Sequence, residues 1–165
     1  MLSCILSDTL EFRSPTTTQE DKAIAHDLAK DLGVDVSDYA AEMFAAKSDV
    51  SAFSEAELLR MDSKEYEVGG KQFRVSVLET TSPAQVLDRK DALMAAMPGV
   101  ASDDGADQVL LFVVDIMNEE ATLLVPNDLV KTVAENSFGA TVTGDTVVLP
   151  GIISRKKQII PNLKV

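Results

Sequence analysis

Tryptophan is absent from this chain, histidine and cysteine occur once each, and aromatic residues make up 5 % of its 165 positions. The lone Cys4 excludes an intramolecular disulfide and any zinc site built from several thiolates. A reducing, cytoplasmic home is the default that follows. Scarce aromatics leave little on which nucleobases could stack. Positive charge is also short: 15 Lys and Arg against 27 Asp and Glu give a formal net charge of -12. That balance argues against nucleic acid as a partner, because phosphate backbones reward positive faces. No apolar run reaches membrane length, and residues 1–6 are too short, and lack the charged leader, for a cleavable signal. No membrane partner is expected. Hydrophobic residues at 45 % and charged residues at 25 % describe an ordinary soluble globular chain. Its length suits one domain, or one small domain plus part of another.

Residues 1–8 open with apolar side chains and no N-cap, and read as the tail of a buried helix whose start is missing. Within it, Cys4 reads as packing rather than as a reactive thiol. After a polar connection containing Pro15, Thr18 can cap a helix over 19–32, with Gly33 as its stop. Ala23, Ile24, Leu28 and Leu32 mark one face of it. The only histidine, His26, stands mid-helix and reads as a surface or packing residue. A second helix over 37–46 presents Tyr39, Met43 and Phe44. Residues 47–54 then break the pattern as a linker. Ser54 and Glu57 have capping-box spacing and open a short helix to about Met61.

Beyond it, residues 64–68 and 72–78 alternate with period two and are joined through Gly69-Gly70, a hairpin signal. Ser82, Pro83 and Gln85 launch a helix to about Met97, with Pro98-Gly99 as its end. Its buried stripe is Val86, Leu87, Leu93, Met94 and Met97. Residues 108–116 form a continuous apolar run, as expected of a strand covered on both faces. Asp115 and the Asn118-Glu119-Glu120 that follow read as a hairpin turn, a position nearer a cleft being the alternative. A strand over 121–125, a helix over 127–136 and a strand over 146–149 complete an α/β order, a mixed sheet flanked by helices.

One stretch breaks the acidic pattern. From Thr146 to Val165 there is no acidic residue, and Ser154-Arg155-Lys156-Lys157-Gln158 lies between the apolar runs 147–153 and 159–161. A solvated turn is one reading of such a block. An anion site is the other, since cations held between buried segments have a fixed target, and an Arg fork beside a Lys suits phosphate or carboxylate.

Four blocks in order carry a resemblance: Ser7-Asp8-Thr9-Leu10, Phe12-Arg13-Ser14-Pro15-Thr16, Asp62-Ser63-Lys64-Glu65 and Ser154-Arg155-Lys156-Lys157-Gln158. Together they resemble family II inorganic pyrophosphatases, manganese- or cobalt-dependent enzymes of the DHH phosphoesterase superfamily. The resemblance implies that residues 1–47 are the C-terminal helical end of the catalytic DHH domain, 48–53 a linker, and 54–165 a DHH-associated substrate-binding domain. It implies a metal-ligating role for Asp8 and pyrophosphate binding by Lys64, Arg155 and Lys156. Taken alone, Lys64 reads equally as an edge-strand guard. Arg13 is expected to orient the loop after Asp8.

The family's N-terminal His-x-x-x-Asp-x-Asp and Asp-His-His patterns are absent. The expectation is therefore a C-terminal portion whose Mn2+ (or Co2+, Mg2+) is held in the full-length protein and not stably by this chain alone. Its implied partners are pyrophosphate or phosphate and the missing N-terminal DHH domain. A non-catalytic phosphate-binding module and part of an exopolyphosphatase are the alternatives. Apolar stripes on residues 1–46 suggest a homodimer.

Overall fold

Thr18 and Ser54 each stand three residues before a carboxylate, and both form reciprocal capping boxes in the computed structural model, which describes all residues, Met1–Val165. Chain contacts divide the molecule into two units, Met1–Asp49 and Val50–Val165.

The first unit holds three helices, α1 (Leu2–Thr9), α2 (Gln19–Leu32) and α3 (Val36–Lys47). Thr18 Oγ1 accepts from Asp21 N while Asp21 Oδ2 accepts from Thr18 N, which satisfies two orphan donors at the start of α2. Asp35 caps α3 by accepting from Ser37 N and Asp38 N. Ser3 Oγ and the Tyr39 hydroxyl, 2.7 Å apart, tie α1 to α3. Two expectations change here. Helix α2 buries Ala25 and Ala29, whereas Ile24 is 40 % and Leu32 62 % exposed. The small alanines form the packed face of the helix and leave its larger apolar side chains outward. Cys4 is exposed, because α1 buries Leu2, Leu6 and Thr9 at helical spacing and Cys4 falls off that stripe. His26 packs against Phe12, ring centroids 5.8 Å apart.

The second unit is a five-stranded sheet in the order β1-β2-β3-β4-β5, with β1 (Ser63–Val68), β2 (Lys71–Thr80), β3 (Gln108–Asp115), β4 (Glu120–Leu124) and β5 (Thr146–Pro150). Strands β2 and β3 are parallel and the other pairs antiparallel. The parallel pair needs a crossover, and α5 (Pro83–Leu87) and α6 (Lys90–Asp104) supply it. All eight residues of β3 are buried, as its unbroken apolar run requires at the centre of a covered sheet. One face carries Leu78, Val109, Leu111 and Val113 against α4 (Glu55–Met61) and α6, through Leu58, Leu59, Leu93 and Met97. The opposite face carries Val75, Leu110, Phe112 and Leu123, all fully buried. Helix α7 (Asp128–Phe138) covers it, with Phe138 edge-on to Phe112 at 6.0 Å. Asp115 is a turn residue: its Oδ1 accepts from Met117 N and Asn118 N.

The crossover departs from the single helix ending at Pro98-Gly99. The chain breaks at Asp88-Arg89, and α6 then runs through Pro98 to Gly105. Pro98 has no N–H for the bond to Met94 and costs roughly 3 kcal/mol inside a helix. Val100 and Ala101, buried beyond it in the same core as Leu93 and Met97, offset that cost, since one Val-sized side chain contributes about 1.5–3 kcal/mol on burial. The break has its own cause. Arg89 donates from Nη1 to Val50 O (3.1 Å) and from Nη2 to Phe53 O (2.8 Å) and Glu55 Oε1 (2.7 Å). Residues 50–55 are thereby stapled to the sheet unit.

A charged network crosses the α6 face. Arg74 meets Glu65 (2.6 Å) and donates to Ser63 Oγ (2.7 Å), while Asp104 accepts from Arg60 Nε (3.0 Å) and Nη2 (3.3 Å). Arg74 Nε lies 2.7 Å from Asp104 Oδ2, but its N–H is not aimed at that oxygen and stays without a hydrogen-bond partner. The Arg60 hydrogen bond, and then the charge of Arg74, hold the Asp104 carboxyl below its ordinary value of 3.8. A depressed carboxyl stabilises the fold fully above its unfolded value and loses that contribution as pH falls through the folded one. Asp104→Asn should therefore flatten the melting-temperature profile below about pH 4. Parallel profiles for the two proteins would remove Asp104 from the acid response.

Candidate functional site

The basic block is shaped by its two uncharged ends. After Gly151, at φ 75°, the Gln158 Oε1 accepts from Ile153 N (2.9 Å) and Ser154 N (3.0 Å), and its Nε2 donates to Gly151 O (2.6 Å). Ser154 Oγ accepts from Lys157 N, and Ser154 O from Ile159 N, closing a π-helical turn over Arg155–Ile159. Ile153 and Ile159 are buried on either side. So two polar side chains satisfy the backbone where the chain reverses, and apolar residues pin the turn to the sheet.

That turn aims Arg155 at Asp62. Its Nη1 donates to Asp62 O at 2.9 Å and its Nη2 lies 2.8 Å from Asp62 Oδ1. The Arg155 side chain is 15 % exposed. Lys64 stands two residues beyond Asp62, about 7 Å along an extended chain. It pairs in register with Val75, on the face opposite Ser76, whose hydroxyl bonds to Leu59 O of α4. Lys64 is exposed and its ammonium has no hydrogen bond or ion pair. Lys156 and Lys157 are exposed in the turn itself. Arg155, through Asp62, and Lys64 both belong to the Asp62 end of β1, with Lys156 next to Arg155 in sequence. Of the basic block, only Arg155 is held between packed segments.

Asp8 belongs to the first unit. It is exposed near the end of α1, and its carboxylate makes no hydrogen bond or ion pair. The loop after it is unusual: Leu10, Glu11 and Phe12 have φ of 50°, 50° and 69°. Left-handed backbone costs roughly 1–2 kcal/mol per non-glycine residue. Burial of Leu10 and bonds from Glu11 N to Leu6 O and Ser14 N to Thr9 O hold it. Arg13 does what the sequence suggested, pairing with Glu11 and donating to Leu10 O. No three or more His, Cys, Asp or Glu side chains are grouped to hold a metal ion. Asp8 alone supplies too few oxygens for manganese, which favours an octahedral shell. The chain's own donors do not fit that ion.

Chemically, the Asp62 end of β1 offers a planar donor fork and a point charge, which suit the oxygens of a phosphoryl group. Sequence reasoning missed Asp62 as Arg155's partner. The two lie 93 residues apart, and only Asp62's position beside Lys64 hinted at it.

A family model described as the DHHA2 domain matches residues 41–165. A Deinococcus radiodurans protein named "Probable manganese-dependent inorganic pyrophosphatase" is 47 % identical over 99 % of this chain and 54 % of its own length. A Lactiplantibacillus plantarum protein of the same name is 39 % identical over 99 % of this chain and 52 % of its own. The chain thus spans about half the length of these relatives. A structure titled "Crystal structure of Methanococcus jannaschii putative family II inorganic pyrophosphatase" superposes with a TM-score of 0.84 at 33 % identity. It covers 98 % of this chain and 52 % of that one. With most of its residues inside the matched span, this chain belongs to the DHHA2 domain family.

Proposed function

We propose that this chain is the substrate-binding part of a manganese-dependent inorganic pyrophosphatase, which converts pyrophosphate and water into two phosphates. The observation that carries the reading is the cation pair, Lys64 unpaired and Arg155 buttressed, at one strand end of a chain with net charge -12. Lys64, Arg155 and Lys156 bind pyrophosphate oxygens and neutralise charge on the leaving phosphate, following it without a proton transfer. Similarity to the named pyrophosphatases supports this role. Manganese would activate the attacking water, and Asp8 would be one ligand among others outside these 165 residues. On the same reading, residues 1–47 close a catalytic DHH domain, 48–53 link, and 54–165 clamp substrate. The N-terminal DHH domain is then the obligate partner and the cytoplasm the compartment.

The lack of a grouped donor set favours a second reading, a phosphate-binding module without catalysis. Phosphate release from pyrophosphate, with manganese in excess, separates the two. The chain alone should give background rates, and adding the unmatched half of the Deinococcus radiodurans relative should restore turnover. Two folded halves that bind each other yet stay inactive would leave the module reading. Exposed Ile24 and Leu32 on α2 support self-association of the chain as a homodimer. A clean monomer by light scattering at high concentration would count against that.

A further inference from the structure

We propose that Asp62 is a positioning residue for Arg155, fixing the guanidinium so that its Nε edge stays open to a phosphoryl oxygen. The inference rests on the reading of Lys64 and Arg155 as pyrophosphate-binding cations. Asp62 engages Arg155 twice, through its backbone carbonyl at Nη1 and its carboxylate at Nη2. One hydrogen bond and one ion pair on neighbouring nitrogens restrain a planar fork in place and in rotation. Nε–H and the Nη2 hydrogens have no hydrogen-bond partner, so those donors are left to bind. The anchor is itself anchored. Asp62 O also accepts from Val77 N at 2.9 Å, which uses both carbonyl lone pairs and ties Asp62 to β2. Since β2 pairs with β1, the same strand sets Lys64 and, through Asp62, Arg155.

The opposite role for this carboxylate is a competitor that occupies Arg155 until substrate displaces it. Geometry favours positioning. The Arg155 side chain is far less exposed than that of Asp62, 15 % against 55 %. The carbonyl bond alone would leave the fork free to swing about one contact. With the carboxylate in place, the unpartnered edge has one orientation, as a preorganised site needs.

Calorimetric titration of the chain with pyrophosphate tests this, together with the Arg155 Nε–H resonance. Asn keeps an oxygen acceptor, so Asp62→Asn should stay within about twofold of wild type. Asp62→Ala should weaken binding roughly tenfold, and pyrophosphate should no longer shift the Nε–H signal. Rescue by Asn, with unchanged melting of both variants, is what a lost positioning bond predicts and a damaged fold does not. Asp62→Ser gives the same comparison if the alanine variant melts early. In an Arg155→Met background, Asp62→Ala should change affinity by less than about twofold. Tighter binding by the Asp62 variants, or additive losses in the double variant, would overturn the proposal. If Arg155→Met itself leaves affinity unchanged, the cation reading fails first and this inference falls with it.

Discussion

Arg155→Met should lower kcat/KM for pyrophosphate roughly 10²- to 10³-fold in the complemented enzyme, the range seen on losing one preorganised charge-stabilising donor. Methionine keeps most of the aliphatic stem, so the loss falls on the guanidinium. Most of it should appear in kcat, because charge on the leaving phosphate grows toward the transition state. Arg155→Lys should recover only part, since an ammonium cannot engage Asp62 and a phosphoryl oxygen on separate edges. Steady-state kinetics with a melting control on each variant measure this. A well-folded Arg155→Met within about threefold of wild type would take Arg155 out of the chemistry.

Phe112→Ala should cost about 3–5 kcal/mol of unfolding free energy. Phe112 is fully buried on the central strand, and its ring meets Phe138 edge-on at the end of α7. Part of the loss is cavity and part is the aromatic pair, about 0.5–1.5 kcal/mol. Phe53→Ala, at 39 % exposure, should stay nearer the small changes of surface positions. Urea denaturation with unchanged m-values would read both. The Phe112 change should also reach the cation pair. Ser137, beside Phe138, accepts from Lys164 N and donates to Lys164 O, so α7 holds down the segment that carries Arg155. Anion affinity should therefore fall at temperatures where the sheet is still folded. Loss of affinity only in step with global unfolding would show that the two are not coupled.

Much of this fold is local chemistry and was legible as such. Thr18 and Ser54 fix helix starts by reciprocal bonds spanning three residues, and Gly33 and Gly69-Gly70 supply turns whose φ is positive. The run 108–116 could be read as a strand covered on both faces, because such burial erases alternation, and β3 takes 108–115 of it. Reading failed where long-range packing overrode a local signal. Pro98-Gly99 has the form of a stop, yet Val100 and Ala101 had core to reach. The helix expected over 83–97 breaks because Arg89 finds acceptors at Val50, Phe53 and Glu55, 34 to 39 residues upstream. The α2 face expected at Ala23, Ile24, Leu28 and Leu32 is not the packed one, which took Ala25 and Ala29. At the candidate site, residue types and the apolar frame around Arg155 were visible in the chain. Its carboxylate and carbonyl partner was not, because nothing in spacing links residues 62 and 155.

All five strands are complete by Pro150, but Arg155 and the apolar Ile159 and Leu163 come only afterwards. The strand pairings are therefore complete without the segment that carries Arg155. That segment docks onto a scaffold in which Asp62 already accepts from Val77 N of β2. Loosening that segment should release Arg155 from Asp62 while leaving every strand pairing intact.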